Sequence, residues 1–151
     1  MIFGKYGSAF FVSYHVLPMN LLLIEDDAIE TMKFQRVLKK IASPHKLMEA
    51  KNGEEALELL TSGNQLPDII LLDLNMPRMN GIEFLTKLKQ HDQIKYLPTI
   101  ILTTSENRHD LLECYKVGVA GYVIKPLKFE DYETKIKSVL EYWSNNELVK
   151  A

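Results

Sequence analysis

The sequence predicts an α/β protein, a doubly wound five-stranded parallel sheet with helices on both faces. Two observations carry that prediction. Short apolar runs and helical patterns alternate five times along the chain, as successive βα units do. In addition, residues 69–72 are apolar at every position, which fits a strand covered on both sides.

The elements follow in order. Residues 21–24 form a short apolar run that reads as a buried first strand. Residues 27–42 have helical spacing, with Ile29, Met32, Val37, Leu38 and Ile41 on one broad face. Asp27 is its expected N-cap, with Glu30 reaching back to complete a capping box. Residues 46–50 give a second strand, and Asn52–Gly53 turns the chain into a helix carrying Ala56, Leu57, Leu59 and Leu60. The third strand occupies 68–73. Asn80–Gly81 repeats the turn before a helix with Ile82, Phe84, Leu85 and Leu88. Pro98 introduces a fourth strand, TIILTT. Residues 107–117 form a helix ending at Gly118, which suits a left-handed stop. Residues 121–124 are the fifth strand. A last helix starts at Phe129, striped by Phe129, Tyr132, Ile136, Val139, Leu140 and Trp143. Right-handed crossovers and the common strand order 2-1-3-4-5 make this a flavodoxin-like (βα)5 sheet.

No repeat, low-complexity tract or linker divides the chain. One domain is expected over 19–145, opening at Met19 just before the first strand. Residues 1–18, MIFGKYGSAFFVSYHVLP, are aromatic, poor in charge and without periodicity, and read as an extension or as a start assigned too early. They lack the basic start and clean apolar stretch of a signal peptide. Residues 146–151 are a polar tail. A net charge of -2 with both signs interspersed gives no footprint for nucleic acid or an anionic membrane, and no apolar run is long enough to span a bilayer. The single cysteine, Cys114, cannot form an internal disulfide, which fits a reducing cytoplasm. It falls on the apolar side of its helix. His15, His45, His91 and His109 show no metal spacing.

Ligands of open α/β sheets bind beyond the carboxyl ends of the strands. The first strand runs out at Glu25-Asp26-Asp27, the third at Asp73, the fourth at Thr103-Thr104-Ser105 and the fifth at Lys125-Pro126. One sheet edge therefore collects Glu25, Asp26, Asp73, Thr103 and Lys125. Two carboxylates ~4 Å apart repel by about 4 kcal/mol at an effective dielectric of 20. The set must retain protons or bind a cation, and magnesium suits an all-oxygen site that keeps several waters. Beside such a cation and a lysine, Asp73 is placed as a nucleophile toward phosphorus, and Thr103 can donate to a phosphoryl oxygen.

The stretches LLLIEDD, PDIILLDLNMPRMNG, LPTIILTTS and GYVIKP, in this order and spacing, resemble the receiver domain of bacterial two-component response regulators over residues 20–143. The resemblance implies that Asp73 is the phosphoacceptor, that Asp26 binds magnesium directly and Glu25 through water, and that the backbone carbonyl of Asn75 is a further metal ligand. It assigns phosphoryl oxygens to Thr103 and Lys125, the switch aromatic to Tyr122, tuning of hydrolysis to Asn75 and Ser105, and a cis bond to Lys125–Pro126. Asp27 falls one place past the acid pair and stays a helix cap. The implied donor is a phosphohistidine on a sensor kinase or phosphotransfer protein, and the implied output surface is the fourth helix, fifth strand and fifth helix. The protein is then a signalling switch, not an enzyme in the ordinary sense, although it takes part in its own phosphorylation and slow dephosphorylation.

After Pro126 the sequence offers only one helix and the tail, so a stand-alone receiver is expected. ILTTSEN, the KPL step and IKSVLEYW are similar to small regulators paired with phytochrome-type kinases, a subgroup that dimerises through its last helices. Tyr142, Trp143, Leu148 and Val149 would supply the contact. The rival reading is a degenerate receiver that works only as a binding scaffold. A dehalogenase-type phosphatase would want an aspartate where Asn75 stands. A flavin carrier would want a phosphate cradle where the acids stand.

Overall fold

The computed structural model describes residues 17–63 and 65–149. Among these residues five strands, β1 (Asn20–Ile24), β2 (Lys46–Ala50), β3 (Ile69–Leu72), β4 (Thr99–Thr103) and β5 (Gly121–Ile124), alternate with five helices, α1 (Ala28–Lys40), α2 (Gly53–Thr61), α3 (Gly81–Gln90), α4 (Arg108–Val117) and α5 (Phe129–Ser144). The strands form one parallel sheet in the order β2-β1-β3-β4-β5, as the sequence predicts. Most of the 1–18 extension lies outside the described residues. At its end Leu17 is exposed, whereas Met19 is buried.

The continuous apolar strands now have a reason. Successive strand residues point to opposite faces, and each face has its own core. Leu22, Ile24, Ile70, Leu72 and Ile101 pack with Ala56 and Leu60 of α2, Phe84, Leu85 and Leu88 of α3, and Cys114 of α4. Leu21, Leu23, Ile69, Leu71, Ile100 and Leu102 pack with Phe34 and Val37 of α1 and with Tyr132, Ile136 and Leu140 of α5. Burial lifts the Cys114 thiol to about 11, with Asp110 and Glu113 adding to the effect, so it is a core residue.

Four helices start on a side-chain cap. Asp27 accepts from the Ile29 amide, Asn52 from Glu55, Asn80 from Glu83 and Asn107 from His109. Each of these satisfies one of the free amides of a first turn. The two Asn-Gly pairs are therefore cap and first residue. Gly118 closes α4 at φ 111°, ψ 37°.

Three expectations need correction. Ile29 and Met32 are exposed, and the buried face of α1 is carried by Phe34 and Val37; at 3.6 residues per turn Met32 lies on the far side from Phe34. Glu30 does not complete a capping box. The Asp27 amide donates to Glu25 Oε2 at 3.3 Å, and Glu30 turns instead toward lysines. Finally, no cis peptide bond occurs among the described residues. Lys125–Pro126 is trans, the isomer that prolyl bonds favour by default.

A histidine pins the entry to β1. The Met19 amide donates to Nδ1 of His45 at 3.0 Å, so that nitrogen must be unprotonated. Burial lowers the His45 pKa from 6.5, outweighing the nearby Asp68 charge that raises it. The fold therefore holds fewer protons here than the unfolded chain does. Stability is expected to fall as pH drops below 6.5 and to level off below the folded pKa. Urea unfolding of wild type and His45→Gln between pH 7 and pH 5 checks this: the difference between them should change with pH, and parallel curves would refute it.

Candidate functional site

The residues flagged at strand ends come together at the carboxyl edge of the sheet. The ladder runs one residue past three strands and fixes their backbones: the Glu25 amide donates to the Ala50 carbonyl at 3.0 Å, Asp73 to Ile24 at 3.0 Å and Lys125 to Thr103 at 2.7 Å. Carboxylate oxygens of Glu25, Asp26 and Asp73 lie within 4.8 Å of one another. Glu25, Asp73, Thr103 and Lys125 are buried, and Asp26 is exposed. Lys125, Glu25, Thr103 and the Asn75 backbone surround the Asp73 carboxyl, and each pulls its pKa down.

Electrostatics explain what this cluster needs. Burial raises the Glu25 carboxyl to about 7, against the hydrogen bond and charge of Lys125. Burial likewise raises Asp73, again against Lys125. Burial alone would lower Lys125, but the hydrogen bond and charge of Glu25, with Asp73 and Glu30 behind it, hold its pKa above the ordinary lysine value. One ammonium serves several carboxylates, so the cluster keeps a proton near neutrality unless a cation replaces it. Three clustered carboxylates, all hard oxygen donors and short of positive charge, fit a divalent cation such as magnesium. The Asn75 carbonyl, at an exposed position beside Asp73, is the further oxygen the sequence nominates.

The Lys125 ammonium is 2.5 Å from Glu25 Oε1 and 3.3 Å from Glu30 Oε2. Glu30 was missed because a capping box was the nearer explanation. Its signal was its position four residues before Phe34, on the buried side of α1.

Thr103, Ser105 and Tyr122 are joined by a chain of hydrogen bonds. The Ser105 amide donates to Thr103 Oγ1 at 3.2 Å, the Tyr122 hydroxyl donates to the Ser105 carbonyl at 3.0 Å, and the Ser105 hydroxyl donates to Asp110 of α4 at 2.7 Å. Ser105 therefore links Thr103 to Tyr122. Gly81 is a second residue that sequence reasoning did not single out as part of the site. A Cβ there would lie 2.6 Å from the Asp73 carbonyl oxygen and 2.8 Å from Leu74 Cα. A cavity of about 580 Å³ lined by Leu60, Leu66, Ile94 and Tyr96 lies at the opposite end of the sheet.

With this geometry in place, the chain matches the response regulator receiver domain family over residues 21–137. It is 31% identical over 131 residues to the response regulator Rcp1 of Synechocystis sp., covering 83% of this chain and 89% of that one. The Mn(2+)-bound form of Rcp1 superposes with a TM-score of 0.80 at 30% identity, over 89% of this chain and 100% of that one. A phosphorylated cyanobacterial phytochrome response regulator, RcpA, gives a TM-score of 0.82 at 28% identity over 87% and 99% of the two chains. The chemotaxis protein CheY of Pseudomonas aeruginosa is 31% identical over 123 residues, covering 82% of this chain and 97% of its own.

Proposed function

The chain belongs to the response regulator receiver family of two-component signalling, and on that premise we propose that it is a phosphorylation switch whose acceptor is Asp73. The observation that carries this reading is the meeting of Glu25, Asp26 and Asp73 oxygens within 4.8 Å, beside buried Thr103 and Lys125.

In this reading Asp73 attacks the phosphorus of a phosphohistidine on a sensor kinase or phosphotransfer protein. The new bond joins an Asp73 oxygen to phosphorus, the phosphorus–nitrogen bond breaks, and the histidine leaves with the electron pair and takes up a proton. Magnesium, held by Glu25, Asp26, Asp73 and the Asn75 carbonyl, would neutralise charge on the transferring group. Burial lifts the Asp73 pKa, and the Lys125 charge, with Glu25, Thr103 and the Asn75 backbone, pulls it back down. Thr103 and Lys125 take the phosphoryl oxygens. As Thr103 moves toward the phosphoryl group its bond from Ser105 strains, and Tyr122, tied to Ser105, is released to rotate. Water later cleaves the acyl phosphate, at a rate set partly by Asn75 and Ser105.

The output surface is α4–β5–α5, where Leu112 and Tyr115 are exposed on α4 and Leu127 follows β5. The likeness to RcpA, a phytochrome response regulator, supports a phytochrome-type kinase as the donor. No helix among the described residues is long and apolar enough to cross a membrane, which accords with a cytoplasmic site of action. Exposed Tyr142 and Val149, with the Tyr142–Trp143 edge-to-face pair, support a dimer through the last helices.

Incubation with acetyl phosphate and magnesium, read by intact mass, is the test. One phosphoryl group should be gained, should be lost to hydroxylamine as an acyl phosphate is, and should not appear when magnesium is chelated. A folded protein that gains nothing would favour the scaffold reading. Equilibrium sedimentation of the same samples tests the dimer, and monomer alone in both states would exclude it.

A further inference from the structure

Glu30 lies outside the carboxylate cluster formed by Glu25, Asp26 and Asp73, yet it contacts the lysine that serves that cluster. Glu30 Oε2 is shielded from solvent and accepts no hydrogen bond, and the Lys125 ammonium 3.3 Å away offsets its charge. The other oxygen, Oε1, pairs with Lys33 at 3.3 Å, and Lys33 stands 4.9 Å over the ring of buried Tyr132. Glu30 is thus fixed between α1 and α5. Among the described residues, the ion pairs of Lys125 within 4.0 Å are with Glu25 and Glu30, and none is with Asp73.

We propose that Glu30 is a positioning residue that holds Lys125 toward α1, away from Asp73, until a phosphoryl group competes for it. The inference rests on the phosphoryl reading above. Glu25 is one of the oxygens committed to a cation, and its hold on Lys125 weakens once its charge is shared. Glu30 is not so committed, and remains the anion that retains the lysine. An acyl phosphate at Asp73 carries nearly two negative charges where the carboxylate carried one, and draws the ammonium across. Glu30 therefore sets how much phosphoryl-side attraction is needed to complete the site, shifting the balance between two states by its preference for one.

Two measurements test this. In metal-free protein, hydrogen exchange of the Lys125 ammonium, followed by proton–nitrogen NMR, should be faster in Glu30→Gln than in wild type, and Glu30→Asp should restore part of the protection. At saturating magnesium, trifluoroberyllate, a stable stand-in for the phosphoryl group, should bind Glu30→Gln about five-fold more tightly than wild type by fluorine NMR, the size of a partly exposed ion pair. Asp27→Asn removes a neighbouring charge that makes no contact with Lys125 and should give a smaller gain. Unchanged ammonium exchange, an affinity that is unchanged or weaker, or an equal gain in Asp27→Asn would each overturn the inference. Wild type that binds no trifluoroberyllate would overturn the phosphoryl reading itself, and this inference with it.

Discussion

Asparagine at position 73 is expected to abolish phosphoryl uptake and to leave the fold more stable than wild type. The first effect follows because the amide cannot act as the nucleophile toward phosphorus. The second follows from burial. Asp73 is 7% exposed, and burial raises its pKa above the ordinary carboxylate value despite the opposing pull of Lys125 and its hydrogen bonds. The charged form is thus disfavoured in the folded state. That penalty is present in full above the folded pKa, shrinks as pH falls through it, and is gone below the unfolded value. Asparagine keeps the shape while removing the charge. Denaturant unfolding at neutral pH should show a gain on the order of 1 kcal/mol, within the usual range for a single substitution. The gap should close on acidification. A variant less stable than wild type at neutral pH would show that Asp73 stabilises the fold through Lys125, and that the cluster is not short of positive charge.

Alanine at Gly81 is expected to be the most damaging change per added atom. Its Cβ meets backbone, the Asp73 carbonyl oxygen at 2.6 Å and Leu74 Cα at 2.8 Å, so the loop carrying the acceptor must shift. Overpacking against rigid neighbours typically costs about 1–3 kcal/mol, and the upper end applies where backbone has to move. Gly53 is the natural control. The nearest atoms to a Cβ there are Cγ, Sδ and Cβ of the Met79 side chain, at 2.8, 2.9 and 3.0 Å, and a side chain yields more readily than backbone. Gly53→Ala should cost less than ~1 kcal/mol and leave phosphorylation near wild type. Gly81→Ala should lose both stability and uptake of the phosphoryl group from acetyl phosphate. Equal effects at the two glycines would refute the argument.

Much of this was legible in the sequence, for definable reasons. Residues 69–72 and 99–103 declare buried strands because they are apolar or β-branched throughout, and a covered parallel sheet tolerates little else. Asp73 and Lys125 could be placed at one edge because strand order brings the ends of β3 and β5 into one row. The rest depends on packing that no local pattern encodes. Ile29 and Met32 look like core by composition, but Phe34 fixes which side of α1 is buried. Glu30 satisfies a capping motif in sequence, yet the Lys125 charge, distant in the chain and adjacent in space, outweighs the cap. Gly81 reads as a turn residue, and only the path of the Asp73 backbone reveals that it must lack a side chain.

The sheet is also a partition. Tyr122 packs with the layer of α2, α3 and α4, whereas Tyr132, which lies under Lys33 and so behind Glu30, belongs to the layer of α1 and α5. Thr103 and Lys125 stand at the rim between these layers, one leading through Ser105 to Tyr122 and the other through Glu30 to α1. A phosphoryl group on Asp73, as proposed, would thus meet two separate sets of side chains, one on each side of the sheet.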